Sequence, residues 1–169
     1  MSHMHRRFAR QARKMKVFDT IFCWTEQNLE ASFTATFAHV LGPHVRGYGY
    51  FVWKPQVILQ ALERTEIGDV LLYLDSGSHL VATGRNRFQE YIEIARGSES
   101  GILAFQLTLR EKDWTKGDLL EYLGVRERTE ICESQQIQAG AIFVHHRPGV
   151  KEFFEAWLEV FRQRFDLVD

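Results

Sequence analysis

The run Val70-Leu71-Leu72-Tyr73-Leu74 shows no polar alternation and stops at one carboxylate, Asp75, followed by Ser76 and Gly77. A strand of that kind is covered on both faces, which predicts the central strand of a mostly parallel sheet flanked by helices. Ligands of open α/β sheets bind beyond the carboxyl ends of such strands, so Asp75 is the first candidate site residue. Upstream stands RGYGYFVWKP, Arg46 to Pro55. It places Gly47 and Gly49, the rings of Tyr48, Tyr50, Phe51 and Trp53, and the cations Arg46 and Lys54 in a segment that must bend, stack and carry charge.

Segments of strand and helix character alternate along the chain, which argues an α/β layered fold. Residues 17–24 predict a strand, and residues 29–41 a helix capped by Asn28 and ended by Gly42-Pro43. Residues 53–65 predict a helix with Pro55 in its first turn, where a missing N–H costs nothing. Residues 68–74 are the central strand. Asn86 is a cap for a helix ending at Gly97, with Phe88, Tyr91, Ile92 and Ala95 inward, and residues 101–107 follow as a strand. Thr115 and Asp118 have capping-box spacing for a helix over 116–123. Residues 141–145 predict a strand, and residues 149–165 a helix with an apolar stripe of Phe153, Phe154, Trp157, Phe161 and Phe165.

With 169 residues, of which 45% are hydrophobic, the chain suits one domain over 17–169 that buries roughly 70% of its unfolded surface. Cys23 and Cys132 lack C-x-x-C spacing and read as reduced, buried thiols of a cytoplasmic protein. No apolar stretch reaches the roughly 18 residues of a membrane span. Residues 1–16 hold six of the 21 Lys and Arg residues and no acid, leaving 15 basic against 22 acidic residues elsewhere. This basic start reads first as a helix with Phe8, Ala12 and Met15 packed inward. Peripheral contact with an anionic membrane surface ranks second, and nucleic acid is not the expected partner. Ser2-His3-Met4 also has the look of a tag-derived remnant.

The motifs, taken together, resemble a family of bacterial glycosyltransferases of the GT-A type. Its members carry RG-x-GY-x-x-WKP, GD-x-x-x-Y-x-D-x-G, a Trp-Thr segment and Gln-x-x-x-G. The matches are Arg46-Gly47, Gly49-Tyr50, Trp53-Lys54-Pro55, Gly68-Asp69, Tyr73, Asp75, Gly77, Trp114-Thr115, and Gln136 with Gly140. They extend from about Phe18 to the C-terminus. The resemblance implies a single-domain, Rossmann-like GT-A fold and a nucleotide-sugar donor, a UDP-sugar first, with a saccharide acceptor. It also implies a Mn²⁺ or Mg²⁺ ion held at Asp75, since Asp75-Ser76-Gly77 stands where such enzymes carry Asp-x-Asp. The family pattern starts with a further strand and continues past Asp169. An alternative is therefore a shortened, inactive relative that acts as an interaction module, with an open sheet edge that favours homo-oligomers.

Each candidate suits that chemistry and also has a plainer reading. Asp75 is a hard oxygen ligand or the cap of a strand end. Arg46 and Lys54 offer a planar fork and a point charge to a diphosphate, or are solvated surface charges. Tyr50 and Trp53 stack on a base or sugar, or belong to the core. Gly47, Ser76, Gly77 and Gly140 admit close backbone approach. Gln138 can hydrogen-bond sugar hydroxyls in both directions, or sits in a surface turn. Trp114 lies towards the acceptor, or simply precedes a cap at Thr115. His145 and His146 are adjacent on a strand and point to opposite faces, which argues against a shared metal ion.

Overall fold

The computed structural model describes residues 3–168. Met1, Ser2 and Asp169 lie outside the described residues, and with them the Ser2 of the tag-like start. The helices are α1 (His3–Met15), α2 (Ala31–Thr36), α3 (Gly47–Tyr50), α4 (Trp53–Leu62), α5 (Arg85–Gly97), α6 (Glu111–Trp114), α7 (Gly117–Tyr122), α8 (Thr129–Cys132) and α9 (Val150–Gln163). The strands are β1 (Val70–Leu74), β2 (Ile102–Arg110) and β3 (Gln135–His145). Short 3-10 turns occupy Glu26–Asn28, Ala82–Gly84 and Phe165–Leu167.

The chain is mixed α/β, but the expected parallel sheet is replaced by a small antiparallel one. Its strand order is β1-β3-β2, and both outer strands run antiparallel to β3. β1 is thus an edge strand rather than the centre. The reason lies in what an unbroken apolar run reports, which is cover on two faces and not the direction of its neighbours. Tyr73 packs with Ile142 and Val144 against Val57 and Ile58 of α4 and Phe154 of α9. Val70 and Leu72 pack with Phe143 against Phe88 and Ala95 of α5 and Met15 of α1. Part of the α/β logic survives: β1 and β2 point the same way, α5 connects them, and β3 is inserted between.

Several local expectations are corrected. Residues 17–24 form no strand; their apolar side chains serve helix packing, with Phe18 edge-on to Phe88 at 5.0 Å and the Arg64 guanidinium 4.6 Å from the Trp24 ring. Asn28 does not cap α2. It ends a 3-10 turn, where its Oδ1 accepts from Thr25 N at 2.6 Å. α2 begins instead where the Gln60 amide accepts from Glu30 N and donates to Asn28 O, both at 3.2 Å. α5 and α7 start without side-chain caps at Gly84 and Lys116, so neither Asn86 nor Thr115 plays that part. The Thr115 hydroxyl donates to the Glu111 carboxylate.

β3 begins at Gln135, earlier than its apolar half suggests, because its polar half pairs with β2. Within α9, Phe153 is 55% exposed and stands outside the buried stripe of Phe154, Leu158 and Phe161. Both cysteines are free and half-buried. On α1 the buried residues are Ala9, Ala12 and Met15, while Arg6, Arg10, Arg13, Lys14 and Lys16 are exposed. Among the described residues no helix is long and apolar enough to cross a membrane.

Candidate functional site

The segment before α4 has an unusual backbone. Gly47, Tyr48, Gly49, Tyr50 and Phe51 have φ of 58°, 55°, 89°, 49° and 66°, five left-handed residues in succession, so α3 is a left-handed turn and not a right-handed helix. Three of them carry a Cβ, and each such residue costs roughly 1–2 kcal/mol relative to the right-handed helix. Strain of this kind persists only where the surroundings impose it, and it concentrates at ligand-binding positions. Two contacts hold it here. The Trp53 indole N–H donates to Gly47 O at 2.9 Å. The Phe51 ring lies against Gly47 so closely that a Cβ at that position would sit 2.6 Å from it.

This turn delivers Lys54 into the sheet layer. Lys54 is only 6% exposed. Its Nζ donates to Asp75 Oδ2 and to Ala139 O, both at 3.0 Å. The rings of Phe51, Trp53 and Tyr73 lie 4.9, 5.8 and 5.9 Å from the ammonium, within reach of cation–π attraction. The Tyr73 hydroxyl donates to the other carboxylate oxygen, Asp75 Oδ1, at 2.5 Å. Burial first, and then the bond to Asp75, push the Tyr73 phenol well above its ordinary range, so it remains a donor. Asp75 N donates to Gly140 O at 2.9 Å, which carries the β1–β3 pairing one residue past Leu74.

Gly140 leaves room for the carboxylate. A Cβ there would approach Asp75 Oδ2 to 3.1 Å and Gln138 Nε2 to 3.4 Å. Asp75 keeps 38% of its side chain exposed, so the cluster opens to solvent on its carboxylate side.

Lys54, Trp53, Asp75, Gln138, Gly140 and the Gly47 backbone therefore come together. Ser76 and Gly77 lie in the adjoining turn. The other expected residues lie elsewhere. Tyr50 turns its ring edge-on to Phe165 at 6.1 Å, Arg46 is exposed, and Trp114 is 64% exposed at the end of α6. The neighbour of Trp114 reaches β3, where Gln136 Nε2 donates to Thr115 Oγ1 at 3.5 Å. His145 pairs with Val70 at the opposite end of β1, and His146 Nδ1 lies 2.9 Å from Thr65 Oγ1.

The sequence also concealed two participants. Arg7 of α1 donates to Ser76 O at 2.7 Å and meets the His79 ring at 2.7 Å, and Gln11 Oε1 accepts from Leu80 N at 3.3 Å. The basic helix thus clasps the turn that follows Asp75. Nothing in the local pattern distinguishes Arg7 from the other cations of α1.

The residues around Asp75 do not suit a divalent cation. Both carboxylate oxygens are engaged, one by an ammonium and one by a phenol. Two unit charges about 4 Å apart interact by roughly 4 kcal/mol near a protein surface, so a cation placed at Asp75 meets strong repulsion from Lys54. Hard divalent ions also need several oxygen ligands, and among the described residues no group of three or more His, Cys, Asp and Glu side chains is disposed to hold one. A groove of about 480 Å³ lies elsewhere, lined by Gln56 and Gln60 of α4, by Glu63 just after it, and by Lys151, Glu155 and Glu159 of α9. Its lining mixes both signs of charge without a convergent set of groups. Comparison with family models, curated proteins and solved structures finds no match to this chain.

Proposed function

We propose that this chain is a glycosyltransferase-like domain that binds a nucleotide sugar, a UDP-sugar first, at the C-terminal end of β1 and passes the sugar to a saccharide acceptor. The observation that carries this reading is the position of Lys54 Nζ, which joins Asp75, 21 residues away, and Ala139, 85 residues away. The WKP, Y-x-D-x-G and Gln-x-x-x-G segments are remote in sequence, and a shared site explains why their polar groups meet.

In this reading Asp75 accepts hydrogen bonds from ribose or sugar hydroxyls, for which a carboxylate held by two donors keeps unused lone pairs. Gln138 offers its amide to the same hydroxyls, and Gly140 admits them. Trp53 and Phe51 supply ring faces, and Arg7, bonded to Ser76 O in the adjoining turn, supplies a guanidinium group to the diphosphate. In the transfer itself the bond from the sugar C1 to the diphosphate oxygen breaks, and the diphosphate leaves with the electron pair. The acceptor hydroxyl oxygen bonds to C1 and gives up its proton, which passes to the departing diphosphate. Nucleotide sugars are cytoplasmic compounds, and the domain is assigned to that compartment on the same reading.

Calorimetry with UDP, UDP-sugars and uridine tests the proposal. UDP is expected to bind, uridine to bind more weakly, and Asp75→Asn to lose about tenfold or more in affinity for UDP-sugars, equivalent to roughly 1.4 kcal/mol. Absence of binding to every nucleoside diphosphate, with and without Mn²⁺, overturns it.

A further inference from the structure

We infer, building on the nucleotide-diphosphate site just proposed, that Lys54 is the resident cation of that site and that the nucleotide binds without a divalent metal. Three observations converge. The ammonium occupies the position beside Asp75 Oδ2, at 3.0 Å, where a metal bound by that carboxylate would stand. It is fixed there from three directions, by Asp75, by Ala139 O and by the ring of Phe51. Tyr73 engages the second carboxylate oxygen with a hydroxyl donor, so a metal would meet an ammonium at one oxygen and a phenol at the other.

The fixed charge also has a means of access. Two of the three ammonium donors are accounted for by Asp75 and Ala139 O, and the ring that covers Lys54 belongs to Phe51, which is 41% exposed and sits on a left-handed backbone. Phe51 is the nearest of the three rings around the ammonium, and turning it outwards would clear that side of Lys54 for an incoming diphosphate oxygen. A lysine on a buried stem gives a point charge that does not have to be recruited from solution, unlike a metal ion.

Two measurements on the full chain separate this inference from the function on which it rests. The first is calorimetric titration with UDP in EDTA and in Mn²⁺, for the wild type, Lys54→Met and Lys54→Arg. The expected result is a wild-type affinity that agrees within about twofold in the two buffers. Lys54→Met is expected to lose about tenfold or more in EDTA and Lys54→Arg to recover part of that loss. A tenfold gain on adding Mn²⁺ to the wild type overturns the inference, and so does a Lys54→Met protein that binds UDP in EDTA as tightly as the wild type.

The second measurement is titration of the nucleotide-free protein with Mn²⁺, followed by electron paramagnetic resonance. No stoichiometric site is expected. A single Mn²⁺ site that disappears in Asp75→Asn overturns the inference whether or not UDP binds. Failure of UDP to bind in either buffer counts against the proposed function instead.

Discussion

Tyr73 shows how one side chain links packing to charge. Its ring belongs to the largest core cluster and its hydroxyl holds Asp75. Its phenol is raised above the ordinary value of 10.0, with burial the larger cause and the bond to Asp75 the next. The sign follows directly. The unfolded chain releases the phenolic proton near pH 10 while the folded chain keeps it, so the contribution to stability is complete below about pH 10 and declines as the pH rises beyond it. Urea unfolding at pH 8 and pH 11 should show a larger loss for the wild type than for Tyr73→Phe. Equal losses would mean that Tyr73 ionises freely in the folded state.

At the scale of elements, the Gly47–Phe51 turn decides where α4 begins and which way Lys54 points. A Cβ on Gly47 meets the Phe51 ring at 2.6 Å, so Gly47→Ala should displace that ring and cost about 1–3 kcal/mol. Tyr48→Gly relieves a left-handed residue and should be neutral or stabilising by up to about 1 kcal/mol. Chemical denaturation of the two variants checks the pair, and equal effects of the same sign would argue against strain in the turn.

This turn also shows where sequence reading succeeded and where it stopped. Gly47 and Lys54 drew notice as a glycine and a cation in a segment that must bend and carry charge, Asp75 as the carboxylate ending an apolar run, and Trp53 and Gly140 through the resemblance alone; the fold places all five near one another. The apolar run of β1 was equally plain, and so were the helices α5 and α9. Its place at the sheet edge was not, because cover on two faces looks alike in either strand direction. The strand expected over residues 17–24 failed for a related reason: apolar side chains that pack onto α5 and under Arg64 give the pattern of a strand without its hydrogen bonds. The roles of Arg7 and His79 depend on contacts 69 and 72 residues apart, which no local pattern carries.

For the whole molecule, α1 matters beyond its charge. Met15 is 2% exposed in the same cluster as Phe88 and Phe143, and Arg85 Nε donates to Met15 O at 2.8 Å. Met15→Ala should therefore cost about 2–5 kcal/mol. In a domain of this size that lowers the Tm by roughly 2–4 °C per kcal/mol, and scanning calorimetry reads it. A shift within 1–2 °C, of the order expected for a surface substitution, would detach α1 from the core.

The strand order carries a further consequence, for synthesis on the ribosome. β1 and β2 meet only through β3, which comes last of the three, so no part of the sheet can form until residues 135–145 have been made. At roughly 5–20 residues per second, the stretch from the end of β1 to the start of β3 takes several seconds to translate. Throughout that interval the nascent chain presents Val70–Leu74 unpaired, and it is then that chaperones, or a second nascent copy, have access to it.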